Sequence, residues 1–319
     1  MKKTIVLLSL FSLLISCTQA PKEAKEIAEI DLKLVFENFH SQFFSINPDN
    51  LQGLKQKFSY LFPKHIKDSV WLSRLQQSDE KKLFKKVDSV FGNLEKEKKA
   101  IEDLYKHIRY YKPSFKAPKT ITVISNLDYE HPIIYADSLA FVSLDMFLGK
   151  DSEVYSSFPK YISRTYTKDH LTVALASEIS HRQFYFKNGR SFLEAILYHG
   201  KKLYVLEKLL PKTPKHILMG YSKDQYDWAM ANEGMIWSYF VGNDMLFSTD
   251  KTLSKRFIEK APFSKFYMDL DAQTPGSIGK WMGYTIVKAY DAKNDSSLQE
   301  ILALDAESLF RKSKYKPKK

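Results

Sequence analysis

Ser177-Glu178-Ile179-Ser180-His181 is the stretch on which the reading of this chain turns. It is the H-E-x-x-H segment of zinc peptidases with the first histidine replaced by serine. In the complete motif, histidines at i and i+4 share one helix face and bind zinc, and the glutamate polarises the metal-bound water. Ser177 and His181 keep that spacing and Glu178 keeps its place, but a serine hydroxyl is a poor zinc ligand at neutral pH. An Asn-Glu pair, Asn232-Glu233, follows 52 residues after His181, where some zinc peptidases carry a third ligand. If any metal were held, His181 and Glu233 would be the residues left to hold it. Catalytic zinc normally takes three protein ligands and keeps one position open. His170 lies too far along the same helix to replace the missing histidine, and His199 sits on the next helix among aromatic neighbours. The expected outcome is a retained polar cluster without catalysis, in which His181 bonds to Glu233 and Ser177 and Glu178 complete the group. No catalytic residue and no cofactor, zinc included, is expected. A metallopeptidase with a non-standard ligand set is the alternative.

Outward from the motif, apolar periodicity gives helices on both sides of a short run of strands. Residues 79–111 read as one long amphipathic helix ending at Lys112-Pro113, because the residue before proline avoids the helical region. Strands are expected at 121–125, 132–136 and 140–145, forming a small, mostly antiparallel sheet. Helices follow at about 169–186, ending near Asn188-Gly189, and at 191–210, ending at Pro211. Ser222 and Gln225 form a capping box that opens a helix running to about 242. Further helices lie near 253–260 and from Pro275-Gly276 to about Tyr290, and two short ones finish the chain. Gly276, Gly279 and Gly283 recur at three- and four-residue steps, making a flat face that another element can approach closely. The fold class is α+β, mostly helical: a zincin-like small antiparallel sheet packed against a helical body, with an N-terminal helical segment. In zincins a strand beside the motif helix edges the substrate cleft; here that strand would be 140–147.

The N-terminus carries a separate message. Lys2 and Lys3 precede a 13-residue, almost wholly apolar run from Thr4 to Ser16. That is too short for the ~20 residues a spanning helix needs and fits the apolar region of a signal peptide. The run ends in Leu14-Ile15-Ser16-Cys17, which resembles a bacterial lipobox. Cys17 is the only cysteine in 319 residues. With lipid on its sulfur, disulfides, cysteine nucleophiles and Cys-ligated zinc are all excluded. The expected organisation is a signal peptide over 1–16, a lipid-anchored tether over 17–30 and one globular domain over 31–319. That domain comprises a helical part (31–118) and a part containing the sheet (119–319). The formal net charge of +12 falls to +10 when Lys2 and Lys3 leave with the leader. The excess is spread along the chain without the compact stripe of a nucleic-acid footprint, so no nucleic-acid partner is expected.

Several longer segments carry a family resemblance. They are Leu144-Asp-Met-Phe-Leu-Gly-Lys-Asp151, Phe158-Pro-Lys-Tyr161, Tyr198–Tyr204 through Leu209-Leu-Pro211, and Ala231-Asn-Glu-Gly-Met-Ile-Trp237. Leu246–Asp250, Ala261–Lys265 and Pro275–Gly283 continue the series. In these the chain resembles the gliding motility lipoproteins called GldB, from Bacteroidetes, over most of its mature length. More distantly it is similar to a group of proteins classed as zinc proteases, from which it departs at Ser177. The resemblance implies an envelope lipoprotein, periplasm-facing or on the outer membrane, acting as a structural or assembly component of the gliding and type IX secretion apparatus. Its partners would be membrane lipid, through Cys17, and other proteins of that apparatus. A cell-wall-binding or chaperone-like lipoprotein is a further alternative.

Overall fold

The computed structural model describes residues 22–318; the leader and Cys17 lie outside the described residues. Four strands, β1 (Phe36–Glu37), β2 (Lys119–Val123), β3 (Ile133–Ala136) and β4 (Leu139–Ser143), stand in the order β1-β2-β4-β3. β1 and β4 each pair parallel to β2, and only the β3–β4 pairing is antiparallel. The expected antiparallel sheet is therefore mixed, and burial explains why. β3 alternates buried Ile133 and Tyr135 with exposed Ile134 and Ala136, the pattern of a strand covered on one face. β4 buries Ala140, Val142 and Ser143 and takes the interior position. The two-residue turn Asp137-Ser138, with Asp137 at φ 48°, folds β4 back beside β3 and into place against β2. Residues 140–147 are thus no cleft edge. β4 has a neighbour on each side, and the chain turns into a 3-10 segment at Leu144–Met146.

The helix expected over 79–111 is two helices, Ser78–Phe91 and Glu95–Tyr111. Gly92 and Leu94 take positive φ, 56° and 61°, which a continuing right-handed helix cannot accommodate. Glu95–Tyr111 buries Ile101, Leu104, Tyr105 and Ile108 along one stripe. The segment bearing the opening motif is a helix, Lys168–Gln183, called the motif helix below. It stops at Phe184, which is extended, and not at Asn188-Gly189. Gly189 serves the next helix instead. A Cβ there would collide with the Glu194 carboxylate, which accepts the backbone N–H groups of Arg190 and Ser191, each at 2.9 Å. Ser191 and Glu194 form a capping box that opens the spine helix, Phe192–Leu209.

The Ser222–Gln225 capping box is present and opens Lys223–Ala231. The expected run to 242 breaks at Asn232, whose side-chain amide donates to the Trp228 carbonyl at 2.8 Å; a second helix, Glu233–Gly242, restarts after it. Ile278–Asp291, the glycine helix, packs along the spine helix more extensively than any other pair of elements. Around that pair Ile196, Val205, Trp281, Ile286 and Phe240 are almost fully buried. A satellite cluster of Phe43, Phe58, Phe62 and Leu75 sits in the N-terminal part, with Phe62 and Trp71 edge to face at 4.8 Å.

The tether expected over 17–30 is already folded from Lys22. Lys22–Ala28 is helical and buries Ile27. Its Glu26 accepts the Tyr110 hydroxyl at 3.0 Å and its Glu23 accepts the Tyr111 hydroxyl. Charge-rich composition suggested a linker; two carboxylates that match two adjacent tyrosines, with one apolar anchor, make it part of the body. Among the described residues no helix is long and apolar enough to cross a membrane.

Candidate functional site

The four residues of the degenerate motif do not converge. His181 lies in the last turn of the motif helix and is exposed. Glu178 is half-buried, and its closest charge partner is Arg182 on its own helix, at 3.9 Å. Ser177 is half-buried and faces a cavity. Glu233 is buried, but it accepts a 2.8 Å hydrogen bond from the Tyr315 hydroxyl. Burial, and then this bond to a carboxylate, push the Tyr315 pKa well above the usual phenol range. The expected His181–Glu233 link is therefore replaced by a Tyr315–Glu233 link. The motif helix ends two residues after His181, which leaves its ring at a solvated terminus, while the C-terminal segment brings a hydroxyl to the glutamate. Among the described residues no three His, Cys, Asp or Glu side chains stand together as a metal would require.

What Ser177 faces is more distinctive. A cavity of about 390 Å³ lies between the motif helix, the spine helix and the start of the glycine helix. Phe147, Tyr166, Val173, Leu206, Leu218 and Trp281 are part of its apolar wall. Its polar lining includes Arg164, Lys202, Lys260 and Lys280, together with His170 and His199, and no carboxylate. Neither Arg164 nor any of these three lysines joins an ion pair among the described residues. Arg164 donates through Nη1 to Gln225 Oε1 at 2.5 Å, and Lys202 lies 5.2 Å from the centre of the Tyr198 ring.

Desolvation, then the ammonium groups of Lys260 and Lys202, hold Lys280 down at about 8. Burial also lowers Lys202 and Arg164. Lys260 is reached by solvent, yet enough protein surrounds its ammonium to lower its pKa as well. His199 falls to about 3, first through burial and then through Lys280 and Lys202, and burial brings His170 to about 4. Both imidazoles are therefore neutral at pH 7. Among the described residues, the Nε2 of His170 and the Nε1 of Trp281 are buried without a hydrogen-bond partner, as is the Nε of Arg164. Buried donors and acceptors are normally satisfied, so three orphans around one cavity stand out.

Nothing in the sequence marks these lysines as a group. Lys202, Lys260 and Lys280 are 58 and 20 residues apart in sequence and look like surface charge. One signal was available: Lys201-Lys202 interrupts an apolar, aromatic helix, where two adjacent lysines cannot both reach solvent freely. Lys201 is indeed 2% exposed and donates to the carbonyls of Leu302, at 3.0 Å, and Leu304, at 2.5 Å.

No curated protein and no solved structure matches the chain. The family described as gliding motility protein GldB matches residues 20–317, nearly the whole of the described structure. The segments quoted from the sequence, from Leu144–Asp151 to Pro275–Gly283, all fall inside that match. The chain belongs to the gliding motility protein GldB family.

Proposed function

We propose that this gliding-motility lipoprotein is a structural or assembly component of the gliding and type IX secretion apparatus, anchored in the cell envelope through lipid on Cys17, and that it performs no metallopeptidase chemistry. The observation that carries the non-catalytic part is the dispersal of the motif. His181 is exposed, Glu233 is committed to Tyr315, and Ser177 faces a cavity lined by cations. A positively lined cavity repels a divalent cation and so works against a zinc site placed there. Family membership supports the motility role. A folded body that starts at Lys22, without a spanning helix among the described residues, agrees with attachment by acyl chains. Strand addition remains available only at the sheet's outer strands, where β3 exposes Ile134.

The test combines two measurements in intact cells. A Ser177→Ala, Glu178→Gln, His181→Ala triple variant should restore gliding to a deletion strain as fully as the wild type does. Crosslinking of the wild-type protein should capture other motility or secretion components. Loss of gliding in the triple variant at normal protein levels would overturn the non-catalytic reading. Crosslinks confined to peptidoglycan would overturn the assembly role.

A further inference from the structure

We propose that the cavity between the motif, spine and glycine helices binds a phosphate-bearing ligand, with the phosphate held by Lys202, Lys260 and Lys280 at the start of the glycine helix and a compact apolar body lying against the aromatic wall.

The charge arrangement supports this first. Three lysines and Arg164 line one cavity that has no carboxylate in its wall among the described residues. Uncompensated like charges near one another raise the free energy of the empty protein, and an anion with more than one negative charge removes that cost. The lysines are mutually close: Lys260 and Lys202 both depress Lys280, and Lys280 and Lys202 both depress His199. The one carboxylate felt by any of the four cations is Glu178, acting on Lys202, and it does not line the cavity.

The second support is backbone geometry. Gly276 and Ser277 line the cavity immediately before the glycine helix, and Ser277 takes a left-handed conformation at its N-cap (φ 60°). Ser277 turns its hydroxyl to the Glu259 carbonyl, at 2.7 Å, so it supplies no side-chain cap. The Ile278 N–H donates to the Ser264 hydroxyl at 3.1 Å, so the first turn is partly capped, and what the 14-residue helix adds near the lysines is the positive end of its dipole.

Two ring nitrogens without partners give the third support. Trp281 is 1% exposed and His170 is 6% exposed, both line the cavity, and each leaves a ring nitrogen without a partner. A ligand oxygen would accept from the Trp281 N–H, and would accept from His170 Nε2 when the proton sits there, the tautomer in which Nδ1 accepts the Thr167 hydroxyl. The volume of about 390 Å³ is within the usual range of small-molecule sites and exceeds what a bare phosphate fills, which is why an apolar body is included. The inference concerns a small ligand and stands whether or not the apparatus role holds.

A phosphate ester of this kind could be a soluble metabolite or the head of a phospholipid, and the experiment separates the two. Calorimetry and thermal unfolding of the purified, leader-free protein would be run with inorganic phosphate, glycerol 3-phosphate and dihexanoyl phosphatidic acid, against sodium chloride of matched ionic strength. At least one phosphate compound should bind saturably and raise Tm, and chloride should do neither. A soluble source predicts that glycerol 3-phosphate binds as well as the lipid; a headgroup source predicts that the lipid binds at least tenfold more tightly. Lys260→Gln with Lys280→Gln should weaken binding at least tenfold, and Lys280→Arg should retain most of it. Circular dichroism of the double variant, matching the wild type, excludes unfolding as the cause. Absence of saturable binding by all three compounds, or binding unchanged in a folded double variant, would overturn the proposal.

Discussion

Gly200 and Gly283 meet where the spine and glycine helices cross, so closely that a Cβ on Gly200 would overlap the Gly283 carbonyl carbon. A Cβ on Gly283 would in turn fall onto the backbone oxygen of Ile196. Neither neighbour is a flexible side-chain end that could swing away. Gly283→Ala should therefore cost roughly 3 kcal/mol or more, at or beyond the upper end of overpacking penalties. Gly53, with open space around it in the Leu51–Lys57 helix, is the control: Gly53→Ala should be neutral or stabilise by up to ~1 kcal/mol. Urea unfolding of both variants measures the contrast, and equal effects would refute the close-packing account.

Lys201 ties the end of the Leu298–Ala303 helix to the spine helix through two carbonyls. Desolvation holds its ammonium down at about 8, so it remains mostly charged at pH 7. Lys201→Met keeps the stem and removes both charge-assisted bonds. The expected loss is about 2–4 kcal/mol, since each bond to a charged donor contributes about 1.5–3 and the methionine recovers some apolar burial. A loss below ~1 kcal/mol in denaturant melts would show that water replaces the ammonium.

Three histidines set an acid limit on stability. His40 and His170 are held at about 4 and His199 at about 3, all chiefly by burial. An unfolded histidine titrates near 6.5, so between 6.5 and about 4 the unfolded chain binds more protons than the folded one. Stability is then fully present above pH 6.5 and falls as pH drops through this window, by up to about 1.4 kcal/mol per pH unit for each histidine. His40→Gln, which keeps a polar partner for the Thr122 hydroxyl, should flatten the slope by about a third if the three contribute equally. A urea midpoint that stays constant from pH 7 to pH 5 would contradict this.

The motif residues should be nearly silent in stability. His181→Ala, at an exposed helix end, is expected within about ±0.5 kcal/mol. Tyr315→Phe removes the partner of buried Glu233 and should cost about 1–3 kcal/mol. The reverse ranking, or a Tm increase with added zinc that disappears in His181→Ala, would restore a metal role for the motif.

Lys280 should be a residue the fold would be more stable without. Lys280→Met removes a desolvated charge that has no ion-pair partner among the described residues and should raise stability by about 1 kcal/mol in the absence of ligand. Thermal unfolding in a phosphate-free buffer is the measurement, and destabilisation would mean that the ammonium has a structural partner.

Helices were legible where periodicity and caps agreed, as at Ser222–Gln225 and along Glu95–Tyr111. Their breaks were not, because Leu94 adopts a positive φ that no propensity forecasts, and Asn232 interrupts its helix through a side-chain bond to Trp228. Strand positions were readable from apolar runs, but strand order was not. Pairing of β4 with β2 is a long-range choice, set by which strand can be buried on both sides. The site was least legible. The motif suggested that His181 and Glu233 would meet, yet a hydroxyl from Tyr315, 82 residues beyond Glu233, occupies that carboxylate. The cavity lysines come from three separate segments, and a single lysine in sequence carries no sign of whether solvent or another lysine faces it.

If Cys17 carries lipid, the helix at Lys22–Ala28 limits how far the body can stand from a bilayer. Its carboxylates are bonded to Tyr110 and Tyr111, so Lys22 is held on the flank of the Glu95–Tyr111 helix. With lipid on Cys17, only four residues would lie between the lipidated cysteine and that fixed point, and five steps at ~3.3–3.6 Å each span at most about 18 Å. That is less than the roughly 40–50 Å that a compact body of about 300 residues spans. The protein would therefore lie against the headgroups rather than sway above them, always with the same flank down, and its contacts with other envelope proteins would be confined to the faces turned away from Tyr110 and Tyr111.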